Sequence, residues 1–146
     1  MERENRAIRY LSIARKAGSL QLGEEDTDIA VRGGKAKLVL LAFDASDNAR
    51  RRAEGFVYGR KMPLVRLPYT KEEISFATGK GGCSMLAVTD IGLASSFLSA
   101  LAQQDPERYA ETAQALELKR EKADKRKAEA AAHRRNVKTG KRRTTK

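Results

Sequence analysis

The chain has 146 residues, with 30 Lys and Arg against 19 Asp and Glu and a formal net charge of +11. That length accommodates one domain plus an extension, and a single cysteine, Cys83, excludes an intramolecular disulfide and fits a cytoplasmic setting. The opening MERENRAIRY lacks the apolar core of a secretory signal, and no apolar run approaches the roughly 18 residues of a membrane span, so no membrane role is expected.

In chain order, Ile8, Leu11 and Ala14 recur at three-residue steps, which predicts a helix over residues 3–17 closed by Gly18. A short strand over 19–22 precedes LGEEDTDIAVRGGKAK, where four acids (Glu24, Glu25, Asp26, Asp28) crowd five positions of a basic chain. Residues 24–32 read as a helix with acids in its first turn, ended by Gly33 and Gly34. KLVLLAF (37–43) is an uninterrupted apolar run of strand length, the pattern of a strand buried on both faces. Ser46 can cap a third helix ending near Gly59, and Pro63 introduces the strand LVRL (64–67), completing a βαβ unit. A helix over 71–78 leads into the turn TGKGG and a buried strand over 84–89. Asp90 then caps a helix carrying Ile91, Ala94, Phe97 and Leu101 on its inner face. This alternation predicts an α/β fold, a three-layer α/β/α sandwich around a small mixed, largely parallel sheet.

The charge divides unevenly at Gln104. Residues 1–104 hold sixteen Lys and Arg against twelve Asp and Glu, whereas 105–146 hold fourteen against seven. The second segment is therefore a basic C-terminal extension, suited to a polyanionic partner through counterion release, or to solubility alone. Asp105 and Pro106 make a strong helix start, and Tyr109, Ala113 and Leu116 can pack back on the domain. Beyond Leu118 the apolar stripe stops, so 110–135 reads as a solvated helix and 136–146, with five cations and no acid, as disordered when unbound.

Residue types for catalysis or metal binding are scarce. The one histidine, His133, lies in the basic extension, and Cys83 reads as a small buried residue at a strand start. No cofactor is expected. GKGGCS (79–84) contains a glycine-rich turn, but a nucleotide loop requires strand, loop and helix in that order, and here a helix precedes and a strand follows. Lys80, Gly81 and Gly82 therefore form either a flexible turn or a place where RNA backbone comes close. Arg50, Arg51 and Arg52 fan out around their helix and read as a solvated face. Arg32, Lys35 and Lys37 cluster where a helix ends and a strand begins, fitting a phosphate-contacting patch and strand-edge solubilisation equally.

The strings LSIARKAGSLQLGEE, RGGKAKLVLLAFDAS, KEEISFATGK and LAVTDIGLA, in this order, resemble bacterial members of the L-seven-Ae/L-thirty-e ribosomal protein family over about residues 5–98. The resemblance implies an α/β/α sandwich and RNA binding without catalysis, typically of kink-turn motifs. It implies that the start of the second helix and the turn before the last strand face the RNA: Gly23, Glu24, Glu25 and Asp26 in one, Lys80, Gly81 and Gly82 in the other. Lys37 matches the family in type. Glu25, Asp26 and Ile29 stand where the family has Asn, Glu and Lys, and Ile74-Ser75-Phe76-Ala77 where it has Leu-Gly-Lys-Ala.

The function expected from these observations is a noncatalytic, ribosome-associated RNA-binding protein, monomeric when free, whose domain reads RNA shape and whose extension contacts phosphates. A second expectation is a protein-interaction module that docks basic ribosomal or transcription proteins through the acidic helix start. An enzyme reading would need an attached catalytic domain, and none is expected here.

Overall fold

The computed structural model describes the backbone of residues 2–144 and the side-chain surroundings of residues 6–137. Its elements are α1 (Glu2–Lys16), β1 (Leu20–Leu22), α2 (Glu24–Arg32), β2 (Leu38–Leu41), α3 (Asp47–Val57), β3 (Leu64–Arg66), α4 (Lys71–Thr78), β4 (Met85–Val88), α5 (Ile91–Gln104) and α6 (Pro106–Thr144). Local chemistry sets the helix starts. The Ser46 side chain accepts from the Ala49 amide at 3.1 Å, and Asp90 accepts from the Leu93 amide at 2.9 Å. Thr70 and Glu73 form a reciprocal capping box at α4, which ends at Gly79 in the left-handed region, φ 82°.

The four strands run in the order β1-β4-β2-β3. The sheet is mixed as expected, but it is not largely parallel: β2 pairs with β3 in parallel, while β4 is antiparallel to both β1 and β2. The reason is the connection into β4. The chain leaves β3, passes through α4 and re-enters from the same end of the sheet through the Gly79–Gly82 turn. Strand direction therefore reverses there, whereas the α3 crossover preserves it.

All four residues of β2 and of β4 are buried, since helices cover both faces. On one face, α1, α4 and α5 enclose a core containing Leu11, Leu38, Leu40, Leu67, Ile74, Leu86, Phe97, Leu98 and Leu101. On the other, α2 and α3 enclose a smaller one around Val31, Val39, Ala53, Met85 and Ala87. Thr27 is fully buried on the α2 side, and its hydroxyl finds no hydrogen-bond partner among the described residues.

The larger core does not stop at Gln104. Tyr109, Ala113 and Leu116 of α6 belong to it, and the Tyr109 hydroxyl donates to the Arg66 carbonyl at 3.0 Å. Burial pushes the Tyr109 phenol above its ordinary pKa. Next to Leu116, Glu117 accepts from the Ser95 hydroxyl at 2.8 Å and pairs with Arg120. The Arg120 hydrogen bonds and the Ser95 hydroxyl hold the Glu117 carboxyl below the usual carboxylate range.

α6 continues as one helix to Thr144, through most of the segment expected to be disordered when unbound, and Thr145 and Lys146 lie outside the described residues. Once its first turns are fixed by the core, each further residue extends an existing helix without a new nucleation step, and Ala, Lys and Arg are strong helix formers.

Candidate functional site

Hydrogen bonds at one end of the sheet gather four connections into a single surface. The Gly23 amide donates to the Met85 carbonyl at 2.9 Å, which joins the start of α2 to the strand following the glycine turn. The Ala42 amide donates to Ser84 at 2.9 Å, and the Phe43 amide to Tyr69 at 2.7 Å. The Lys71 amide donates to the Asp44 carboxylate at 2.9 Å. The loops that follow β1, β2 and β3 therefore converge on the turn that precedes β4. Gly23, with φ 99°, supplies a backbone conformation that side chains resist, and lets the chain turn directly from β1 into α2.

The glycine turn is held from behind. The Ser12 hydroxyl donates to the Ala77 carbonyl at 2.6 Å, and Arg15 Nη1 donates to the Thr78 carbonyl at 2.7 Å. These two bonds satisfy the last carbonyls of α4 and fix its end against α1. Beyond it Lys80, Gly81 and Gly82 are exposed, and Gly82 takes φ 76°. Cys83 is buried immediately after the turn, 4% exposed, as its apolar reading required.

The acids at the α2 start divide into two pairs. Glu24 is bridged by Arg52 of α3 at 2.9 Å, and Asp28 by Arg32 at 3.2 Å. Glu25 and Asp26 are exposed and form no ion pair among the described residues. Partly exposed pairs of this kind contribute about 0–1 kcal/mol each, so their main consequence here is to neutralise Glu24 and Asp28. Ile29 is 55% exposed one turn along α2, and Phe43 is 54% exposed at the same end of the sheet. The surface thus offers glycine backbone for close approach, Lys80 for a phosphate, a half-exposed ring able to stack on an unpaired base, and two free carboxylates.

Gly23, Glu24, Glu25, Asp26, Lys80, Gly81 and Gly82 share this end. Arg32, Lys35 and Lys37 do not. They lie at the opposite end of the sheet, where the Lys37 amide donates to the Val88 carbonyl at 2.8 Å. The α2 helix separates the groups, because its nine residues span about 13 Å. Arg60 marks the far end as well, donating to the Val31 carbonyl at 3.1 Å.

Two contributions lie outside the segments that the sequence singles out. Arg52 belongs to a triple read as solvated, yet it reaches Glu24 across 28 positions. The face of α6 that turns toward the far end carries Lys119, Lys122 and Arg126 beside Lys37 and Lys61. Its signal was present, since residues 119, 122, 123 and 126 continue at helical spacing the stripe formed by 109, 113 and 116. Among the described residues no three His, Cys, Asp or Glu side chains gather in a metal-holding group, and no helix is long and apolar enough to cross a membrane.

No family model matches the chain. Individual proteins do. The RNA-binding protein YlxQ of Enterococcus faecium is 33% identical over 75 residues, covering 51% of this chain and 72% of that protein. The fold is shared with a protein of unknown function from Bacillus halodurans, at a TM-score of 0.60 and 23% identity over 64% of this chain and 94% of the other. It is shared too with the Giardia lamblia 15.5kD RNA binding protein, at 0.56 and 15% identity over 70% and 88%. The RNA-binding protein YlxQ of Bacillus subtilis (strain 168) is 33% identical over 95 residues, which cover 62% of this chain and 90% of the relative, and on this match the chain belongs to the YlxQ family.

Proposed function

We propose that this chain is a noncatalytic RNA-binding protein associated with ribosomal RNA. In this reading the end of the sheet built from Gly23–Asp26 and Lys80–Gly82 meets a folded RNA, and the cationic extension binds phosphates. One observation carries it: the 2.9 Å bond from the Gly23 amide to the Met85 carbonyl. That bond makes one surface of the two segments that the ribosomal-protein resemblance implies as RNA-facing. The relatives named RNA-binding proteins support the same reading.

The RNA would not be gripped as a kink-turn is by proteins with lysines at both helices. Ile29 and Phe76 are exposed, 55% and 93%, where the resemblance has cations. Recognition here would depend on shape, backbone approach at the glycines and stacking, with long-range attraction supplied by α6.

The exposed, unpaired Glu25 and Asp26 favour a second reading, in which this end docks a basic ribosomal or transcription protein. Reversal of both charges separates the two. In the RNA reading, Glu25→Lys with Asp26→Lys tightens binding to ribosomal RNA by about tenfold in a filter or anisotropy assay, because two repulsive charges become attractive near phosphates. Unchanged RNA affinity together with loss of a co-purifying basic protein would establish the docking reading instead.

A further inference from the structure

The far end of the molecule carries a cleft of about 510 Å³ lined by Lys37, Lys61, Lys119, Lys122 and Arg126, with no carboxylate among its lining residues. Its floor is apolar and small: Gly34, Ala36, Met62, Ile91 and Ala123. Three elements build it. Lys37 precedes β2, Lys61 lies in the connection from α3 to β3, and the remaining cations come from one face of α6.

The placement follows from the helical repeat. Tyr109, Ala113 and Leu116 hold α6 against the core, and the same stripe, continued for two more turns, overhangs the end of the sheet. There its apolar residues give way to Lys119, Lys122 and Arg126, with Ala123 leaving room between them. Lys119 Nζ donates to the Lys61 carbonyl at 2.7 Å, which pins the helix across the cleft and sets its width. Of the nearby acids of α6, Asp124 accepts from Arg120 at 2.9 Å and Glu117 is bound by Ser95 and Arg120, and neither these two nor Glu121 is among the residues that line the cleft. Lys37, Lys61, Lys122 and Arg126 form no ion pair among the described residues.

Like charges brought together without counter-charges repel one another, and the fold does nothing to relieve that repulsion here. We infer that this cleft is a second RNA site, one that receives the sugar-phosphate backbone at the end of the sheet opposite the Gly23 and Lys80 surface. The inference deepens the RNA reading and rests on it. A single RNA could reach both ends by running along the flank of the domain, since α2, which runs from one end toward the other, is about 13 Å long, the rise of about four nucleotides. The Lys61–Lys122–Arg126 cluster would then fix the direction in which the RNA leaves the recognition surface, and the rest of α6 would follow it.

The test removes the charges without removing the pin. Lys61→Gln, Lys122→Gln and Arg126→Gln are combined, leaving Lys119 in place. The control carries the same charge change at exposed positions that neither line the cleft nor belong to Gly23–Asp26 or Lys80–Gly82, Arg9→Gln, Lys16→Gln and Arg51→Gln. Far-UV circular dichroism and melting confirm that both fold. Binding of a labelled ribosomal RNA fragment is measured from about 50 to about 200 mM salt, and loss of about three phosphate contacts flattens the logarithmic salt slope of the cleft variant by about 2 to 3. Its affinity falls at least about tenfold at the lower salt, while the control stays within about threefold of the full chain. Equal losses in both variants would mean that only net charge matters, and would overturn the cleft while leaving the RNA reading standing. Failure of the unmodified chain to bind the RNA would overturn both. Binding of polyglutamate as tightly as RNA, lost in the cleft variant, would overturn the RNA assignment in favour of an acidic protein partner.

Discussion

Leu116→Ala lowers the free energy of unfolding by about 3 kcal/mol, measured by urea denaturation, although Leu116 lies twelve residues beyond Gln104, where the basic extension was expected to start. Leu116 is fully buried and shares the large core with Phe97, Leu98 and Leu101 of α5. Truncation there leaves a cavity between two helices whose backbones are fixed by their own hydrogen bonds and cannot close on it. A chain cut after Gln104 would lose Tyr109, Ala113 and Leu116 together and expose the α5 face they cover, so it tests folding rather than binding. A result within about 0.5 kcal/mol of the unmodified chain for Leu116→Ala, the range of surface substitutions, would show that α6 is not part of the domain.

Shortening the chain after Arg126 has the opposite profile. It keeps the core residues of α6 and the whole cleft but deletes eight of the 30 Lys and Arg, with Glu129 the one acid lost. The melting temperature is expected to stay within about 2 °C, because the deleted turns belong to neither buried cluster. RNA affinity is not spared. A polycation that contacts six or more phosphates loses about a thousandfold in affinity between about 50 and about 200 mM salt, and the shortened chain should lose only a tenth of that factor or less. Salt slopes from anisotropy titrations measure the difference. An unchanged slope would mean that the distal turns of α6 touch no phosphate and serve some other purpose, such as solubility.

Much of the fold was legible because local chemistry marks it. The bounds of α2 and α4 follow from acids in the first turn and glycine at the end, and Asp105 with Pro106 announces α6. Strand direction was not legible. LVLL and MLAV are buried at every position, and a strand enclosed on both faces reads the same whether its neighbours are parallel or antiparallel. The direction of β4 is decided by where α4 and the glycine turn leave the chain, which is a tertiary property. The helicity of residues 136–144 was hidden for a related reason, since composition describes the isolated segment and not one propagated from an anchored helix.

The candidate site divides similarly. Gly23 and the Lys80–Gly82 turn were identified separately, and the sheet brings them together. Arg32, Lys35 and Lys37 follow Asp26 within eleven positions of the sequence, yet a helix of nine residues carries them to the other end. The cleft is not legible in the sequence because its members are dispersed: Lys61 and Lys119 are 58 positions apart and meet only when α6 lies down on α5. Charge clusters read along a chain therefore mark segments, whereas the fold decides which segments become one surface.

The central claim, that the folded domain reads RNA and does not merely attract it, is tested most directly by competition at moderate salt. Full-length chain bound to a labelled ribosomal RNA fragment is titrated with the same RNA unlabelled, with a kink-turn RNA and with a random straight duplex. If the account holds, ribosomal or kink-turn RNA displaces the label at concentrations at least about tenfold lower than the duplex, a preference of about 1.4 kcal/mol. Equal displacement by all three would contradict it and leave a basic protein that binds any polyanion.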